Sequence, residues 1–202
     1  MKRLLIASNN QAKISDFKKF MADIGYEIVS PAELGLEADI KETGQTFRAN
    51  AELKARHFFA LTGLPTLADD GGIEIDALNG EPGVYSRRWK SRAEGLPEVE
   101  MTDEEIIEYT LFRLRKVPNE KRTARLTMTL CFIKPNQEPV FIAESIEGSI
   151  ADHVIAEYTP GFPFRALFIV KEFAKPYSSL TEKEHAQINH RKIACDQIKK
   201  YL

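Results

Sequence analysis

Apolar and polar positions in this chain follow two periods, and the order of those periods predicts its elements. Arg3 to Ala7 is a short apolar run closed by polar Ser8-Asn9-Asn10, the mark of a buried strand that runs into a polar turn. Ile14, Phe17, Phe20, Met21 and Ile24 then recur at helical spacing, and Gly25 stops that helix. The turn therefore sits at a helix N-terminus, where backbone N–H groups suit an anion. Glu27 to Ser30 reads as a second short strand, and Pro31 to Lys41 as irregular, acidic chain. Thr46 or a neighbour starts a helix carrying Phe47, Ala51, Ala55, Phe58 and Phe59, which ends near Gly63. Pro65 to Ala68 is a short strand running into Asp69-Asp70-Gly71-Gly72. Beyond it Ile73, Ile75 and Ala77 alternate with Glu74 and Asp76, as a half-buried strand does.

In the second half, Asn79 to Gly83 is rich in turn formers, and Arg87 to Pro97 is a polar stretch holding the only tryptophan, Trp89. Thr102 and Glu105 form a capping box ahead of a helix through Ile106, Ile107, Thr110, Leu111, Leu114 and Val117. Thr123 to Ile133 is the longest strand signal. A turn at Pro135-Asn136-Gln137-Glu138 sends Val140 to Ile150 back beside it as an antiparallel hairpin. Thr159 to Pro163 reads as a loop, Ala166 to Val170 as a buried strand, and Thr181 with Glu184 as a second capping box before a C-terminal helix. Helices alternate with strands at first and a hairpin follows, which predicts a mixed β-sheet in one α/β domain over 1–202.

Composition narrows the function classes. The chain has 202 residues, a formal net charge of −2 and no sustained basic tract, which argues against a nucleic-acid polymer as partner. A small anionic ligand needs only a few local cations and stays open. Cys131 and Cys195 lie far apart without metal-ligand spacing, so both read as buried apolar thiols. The apolar run after Met1-Lys2-Arg3 is too short for a signal peptide, and no stretch approaches the roughly 20 apolar residues of a membrane span. No membrane partner and a cytoplasmic location are the expectations.

Four clusters carry possible chemistry. Asp69-Asp70-Gly71-Gly72 ends a strand. If strand geometry persists the two carboxylates point to opposite sides, one to a cleft and one to an anchor, and the glycines let an anion approach the main chain. The same four residues also make an ordinary turn. Glu42-Thr43-Gly44-Gln45-Thr46-Phe47 leads into a helix with Asn50 and Lys54, the lysine about two turns on; a plain helix cap with solvated charges has the same pattern. Ser8-Asn9-Asn10 with Lys13 suits phosphates, or merely caps a helix, and lacks the glycines of a Walker loop. His190-Arg191 near His185 and Asn189 most often sits on a solvated face, and the histidine spacing does not suit zinc. With no serine nucleophile elbow and no Cys/His pair, the nucleophile of any catalysis here would be water.

Together these blocks stand in an order that resembles the inosine/xanthosine triphosphate pyrophosphatase family. The blocks are Ser8 to Lys13, Glu42 to Phe47, Asn50 to Ala55, Leu67 to Gly72 and Gly80 to Arg88. The resemblance implies an elongated α/β fold with a central mixed sheet flanked by helices, two lobes and a cleft between them, and a homodimer. It implies magnesium-dependent hydrolysis of a nucleoside triphosphate to the monophosphate and pyrophosphate. It gives Ser8, Asn9, Asn10, Lys13 and Lys54 to the phosphates, Glu42 and Asp70 to Mg2+, and to Asp70 the further role of general base. Gly71 joins the substrate-binding set beside it.

The departures from the family pattern are unevenly spread. Gly161-Phe162-Pro163-Phe164-Arg165 stands where the family has a glycine-aromatic-aspartate run, so a base replaces an acid. His185 and Asn189-His190-Arg191 stand where a lysine and a Ser-His-Arg are usual, and Ala49 and Gly71 replace a glutamate and a serine. The phosphate and metal residues are mostly kept while the base-reading residues are rewritten. Phe162 and Phe164 remain suited to stack on a nucleobase, and His185, His190 and Arg191 to meet its edge. The expectation is retained pyrophosphohydrolase chemistry with altered base preference. The alternatives are a non-catalytic nucleotide-binding protein and a pyrophosphatase for pyrimidine or modified nucleotides.

Overall fold

The computed structural model describes residues 2–37 and 40–202. Met1, and Ala38 and Asp39 of the acidic stretch predicted to be irregular, lie outside the described residues. The strands are β1 (Lys2–Ile6), β2 (Tyr26–Val29), β3 (Thr66–Ile75), β4 (Thr123–Ile133), β5 (Val140–Ile150), β6 (Phe168–Val170) and β7 (Lys175–Pro176). The α-helices are α1 (Gln11–Phe20), α2 (Phe47–Thr62), α3 (Trp89–Glu94), α4 (Asp103–Leu114), α5 (Glu182–Ile188) and α6 (His190–Ile198). The strands form one sheet in the order β2-β1-β3-β4-β5-β6-β7. β1 is parallel to β2 and β3, and β6 is antiparallel to β5 and β7, so the sheet is mixed as the alternation of periods predicts. β4 and β5 are neighbours joined through 134–139, a link too short for a parallel crossover.

The chain divides into two compact units, and β3, β4 and β5 contribute residues to both. The first comprises Met1–Gly71, Met128–Glu144 and His190–Leu202. Its strands place apolar residues on both faces of the sheet because both faces are covered. Leu4, Ile6, Leu67, Leu130 and Phe132 pack with Ile14 and Phe17 of α1 and with Ala194, Cys195 and Ile198 of α6. The alternate residues Leu5, Ala7, Ala68, Cys131 and Ile133 pack with Ala51, Ala55 and Phe58 of α2. Burying Phe58 fully stabilises the fold by roughly 2–3 kcal/mol, which fixes the roll of α2 and so the direction of its polar residues. The two cysteines lie in different clusters, and burial pushes each thiol up to about 12.

The second unit comprises Gly72–Thr127 and Ser145–Asn189, with a core around Ile73, Ile75, Ile106, Ile146, Phe168 and Trp89. Several boundaries differ from the expectation. β3 runs unbroken through Asp69-Asp70-Gly71-Gly72 rather than stopping there. The polar stretch after Arg87, to which the sequence pattern assigns no element, contains α3, which buries Trp89 and Ser91. The indole N–H of Trp89 donates to Glu81 Oε2 at 2.8 Å, and its ring meets Tyr109 edge-on at 5.2 Å. One large aromatic outweighs the local polarity around it. Pro163–Ala166 is a 3-10 turn, so β6 begins only at Phe168. The predicted C-terminal helix is two helices, with Asn189 in an extended conformation between them.

Candidate active site

The Ser8-Asn9-Asn10 turn caps α1. Asn10 Oδ1 accepts from the N–H groups of Ala12 and Lys13 at 3.0 and 3.2 Å, and Ser8 Oγ accepts from Asn10 N–H at 3.2 Å. Two of the helix's free N–H donors are therefore already satisfied by Asn10. Asn9 is exposed, and the Lys13 ammonium lies 3.0 Å from Asp69 Oδ2.

Because β3 stays extended, Asp69 and Asp70 meet different partners. Asp69 is 1% exposed, and its Oδ2 faces Lys13 and, at 3.5 Å, the Arg191 guanidinium. Arg191 in turn pairs with Asp16 of α1 at 2.8 Å. Burial alone would raise the Asp69 carboxyl, but these cations hold it well below the usual carboxylate range. Asp70 is buried too, with Lys54 Nζ 3.3 Å from Oδ1 and Asn50 Nδ2 donating to Oδ2 at 3.0 Å. Burial raises its carboxyl above the ordinary value. Lys54 opposes the shift, and the negative charge of Glu42 adds to it. The same Lys54 ammonium donates to Glu42 Oε1 at 2.7 Å, so one cation bridges the two carboxylates expected to hold a metal. Among the described residues no group of three or more His, Cys, Asp and Glu side chains is gathered as a metal cage.

Glu42 is placed by the approach of its segment to the start of α2. Gly44 N–H donates to Asn50 Oδ1 at 2.7 Å, and a Cβ at Gly44 would stand 2.5 Å from that oxygen, so only glycine permits the contact. Asn50, fully buried, thus ties the Glu42 segment to Asp70. The sequence pattern assigns no site role to Asn50 or Asp16, and offers Asp69 only as one of two adjacent carboxylates, one for a cleft and one for an anchor. A signal for Asn50 was present, since a polar helix-unfavourable residue between the apolar positions Phe47, Ala51 and Ala55 needs a partner for its amide.

The residues expected at the base lie partly in each unit. In the second unit the Arg165 guanidinium stacks 4.0 Å from the Phe162 ring centroid and 4.7 Å from that of Tyr177. Tyr177 meets His185 edge-on at 4.9 Å, and the Asn189 amide lies 3.3 Å from His185 Nδ1. Phe164 is buried in the unit's apolar core, while Phe162 is half-buried. In the first unit His190 and Arg191 are buried, against the expectation of a solvated face. Arg191 is drawn inward by its two carboxylate partners.

Comparison with known proteins completes the picture. A family model described as Ham1 family matches residues 4–201. A dITP/XTP pyrophosphatase of Bacillus subtilis is 36% identical over 202 residues, covering 100% of this chain and 98% of that protein. One of Symbiobacterium thermophilum is 38% identical, covering 96% of this chain and 91% of that protein. Among solved structures, the Ham1 protein of Staphylococcus aureus superposes with a TM-score of 0.83 at 33% identity, covering 99% and 97% of the two chains. A HAM1 protein of Coxiella burnetii gives 0.84 at 30%, covering 100% and 98%.

Proposed function

This chain belongs to the Ham1 family, and from that premise we propose that it is a nucleoside triphosphate pyrophosphohydrolase acting on non-canonical purine nucleotides. Water attacks the α-phosphorus, the bond to the β-phosphate oxygen breaks, and the products are the nucleoside monophosphate and pyrophosphate. The observation that carries the reading is the gathering of Glu42, Asp70 and Lys54 at one point of the first unit.

The residues fit a hard divalent cation such as Mg2+. Two carboxylates share one ammonium, and Asp70 bears the cost of ionising while buried beside Glu42, a cost that a dication relieves. Glu42 and Asp70 would hold it, and when bound it withdraws charge from the phosphates. Asp70 serves as general base, taking the proton of the attacking water onto its carboxylate. Asn50 orients that carboxylate through its amide. Asp69 is an anchor rather than a base, because its depressed carboxyl binds protons poorly. Lys13 and Lys54 neutralise phosphate charge, and Ser8, Asn9 and Asn10 shape the turn that receives it. Gly71 leaves the main chain beside Asp70 without a side chain to obstruct an anion.

On the base side, Phe162 offers the stacking face, and Arg165 beside it presents donors where a carboxylate would present acceptors. Preference accordingly shifts away from the ring N–H donors that a carboxylate at this position would accept from, those of hypoxanthine and xanthine among them. His185 belongs with Phe162 and Arg165 in the second unit, while His190 lies in the first. Phe164, held in the core, supports the turn rather than the base. The chain acts as a homodimer in the cytoplasm. No helix among the described residues is long and apolar enough to cross a membrane.

The test is a panel of purine, pyrimidine and deaminated nucleoside triphosphates with Mg2+, with product identification. Pyrophosphate with the matching monophosphate is the expected result. Absence of turnover for every triphosphate, or release of orthophosphate alone, refutes the proposal.

A further inference from the structure

The function proposed above needs Lys54 on a phosphate and a dication on Glu42 and Asp70, yet the structure has Lys54 on Glu42 and Asp70. We propose that Lys54 is the resident cation of the metal site, and that a dication binds strongly there only after a triphosphate has drawn the ammonium away. The inference rests on that functional reading and adds to it an order of events.

Both lysines expected at the phosphates are held by carboxylates, Lys13 on Asp69 and Lys54 on Glu42 and Asp70. What each leaves behind differs. When Lys13 moves to a phosphate, Asp69 keeps the Arg191 guanidinium and remains compensated. When Lys54 moves, Asp70 keeps the Asn50 amide, a neutral donor, and only the weaker influence of Lys13, itself expected at a phosphate, so most of the carboxylate charge that the ammonium balanced stays beside Glu42. That leftover charge is what a dication answers, so the departure of Lys54 decides where the metal goes. The converse holds as well. An ammonium 2.7 Å from Glu42 Oε1 and 3.3 Å from Asp70 Oδ1 stands against the same two carboxylates that would hold a metal, and two cations so close together repel. Nucleotide and metal therefore tighten each other's binding, by the same factor in both directions. Free metal ion alone occupies the site poorly.

The experiment titrates nucleotide-free protein with Mn2+ at pH 8 and reads free ion by electron paramagnetic resonance. It compares wild type with Lys54→Met, and with Lys54→Gln in case the methionine variant does not fold. The variants are expected to bind Mn2+ about tenfold more tightly than wild type, within the usual range of coupling between sites. Wild type is expected to tighten when the α,β-methylene analogue of inosine triphosphate is added, and the variants to tighten less. Equal or weaker Mn2+ binding by the variants overturns the proposal. So does a wild-type affinity that the analogue leaves unchanged, a measurement that needs no variant. The nucleotide panel reads the function separately. Wild type that hydrolyses no triphosphate defeats the functional reading, whereas hydrolysis without a Lys54-dependent change in Mn2+ affinity defeats this inference alone.

Discussion

Asn50→Ala is the substitution whose consequences can be followed furthest. The Asn50 side chain is fully buried and makes two bonds, accepting from Gly44 N–H at 2.7 Å and donating to Asp70 Oδ2 at 3.0 Å. Alanine removes both. The bond to the buried carboxylate is charge-assisted and costs about 1.5–3 kcal/mol to lose. Gly44 is only half-buried, so water can reach its N–H and the loss there sits near about 1 kcal/mol. Alanine returns up to about 0.7 kcal/mol as the better helix former. The net expectation is a loss of about 2–3 kcal/mol, read from urea unfolding at pH 7 with an unchanged m value. A second readout follows from the chemistry. The Asn50 bond lowers the Asp70 carboxyl, so its removal raises that carboxyl further, and the acid limb of kcat/KM moves to higher pH. An unfolding midpoint equal to wild type together with an unmoved acid limb would refute the reasoning. It would mean that Asn50 neither braces the Glu42 segment nor touches the base.

The two adjacent aspartates should respond oppositely to the same isosteric change. The Asp70 carboxyl is raised in the fold, so its ionisation costs stability as pH climbs through that raised value. Asp70→Asn should therefore nearly abolish turnover while leaving the Tm at pH 7 equal or higher; substantial residual turnover would remove Asp70 from the role of base. The Asp69 carboxyl is depressed, so it contributes stability above its ordinary range that is lost as pH falls through the depressed value. Asp69→Asn should cost about 1.5–3 kcal/mol at pH 7, because it takes the carboxylate from Lys13 and removes one of the two carboxylates beside buried Arg191, and the deficit should shrink on acidification. A pH-independent deficit in chemical denaturation would contradict this. Arg165→Asp should move the ranking of substrates toward inosine and xanthosine triphosphate in the panel assay, and an unchanged ranking would show that Arg165 does not read the base.

Local periodicity was enough to determine much of this protein. The helix at 47–62 with its threonine cap, both capping boxes, the long strand pair at 123–133 and 140–150, and the mixed sheet all follow from spacing, because each is set by neighbours a few residues apart in the chain. The ordered blocks from Ser8 to Arg88 likewise pointed to the family before any coordinates. What only the tertiary structure decided is who meets whom. No spacing tells that β3 continues through two glycines and so sends Asp69 to Lys13 and Arg191, and Asp70 to Lys54 and Asn50. None tells that Trp89 makes a helix of a polar stretch, that Arg191 turns inward, or that Phe164 is spent on the core. The physical reason is shared by all of them. These outcomes turn on burial and on charges brought together from distant parts of the chain, and the field at a carboxylate depends on distance through space, which a linear order of residues does not contain.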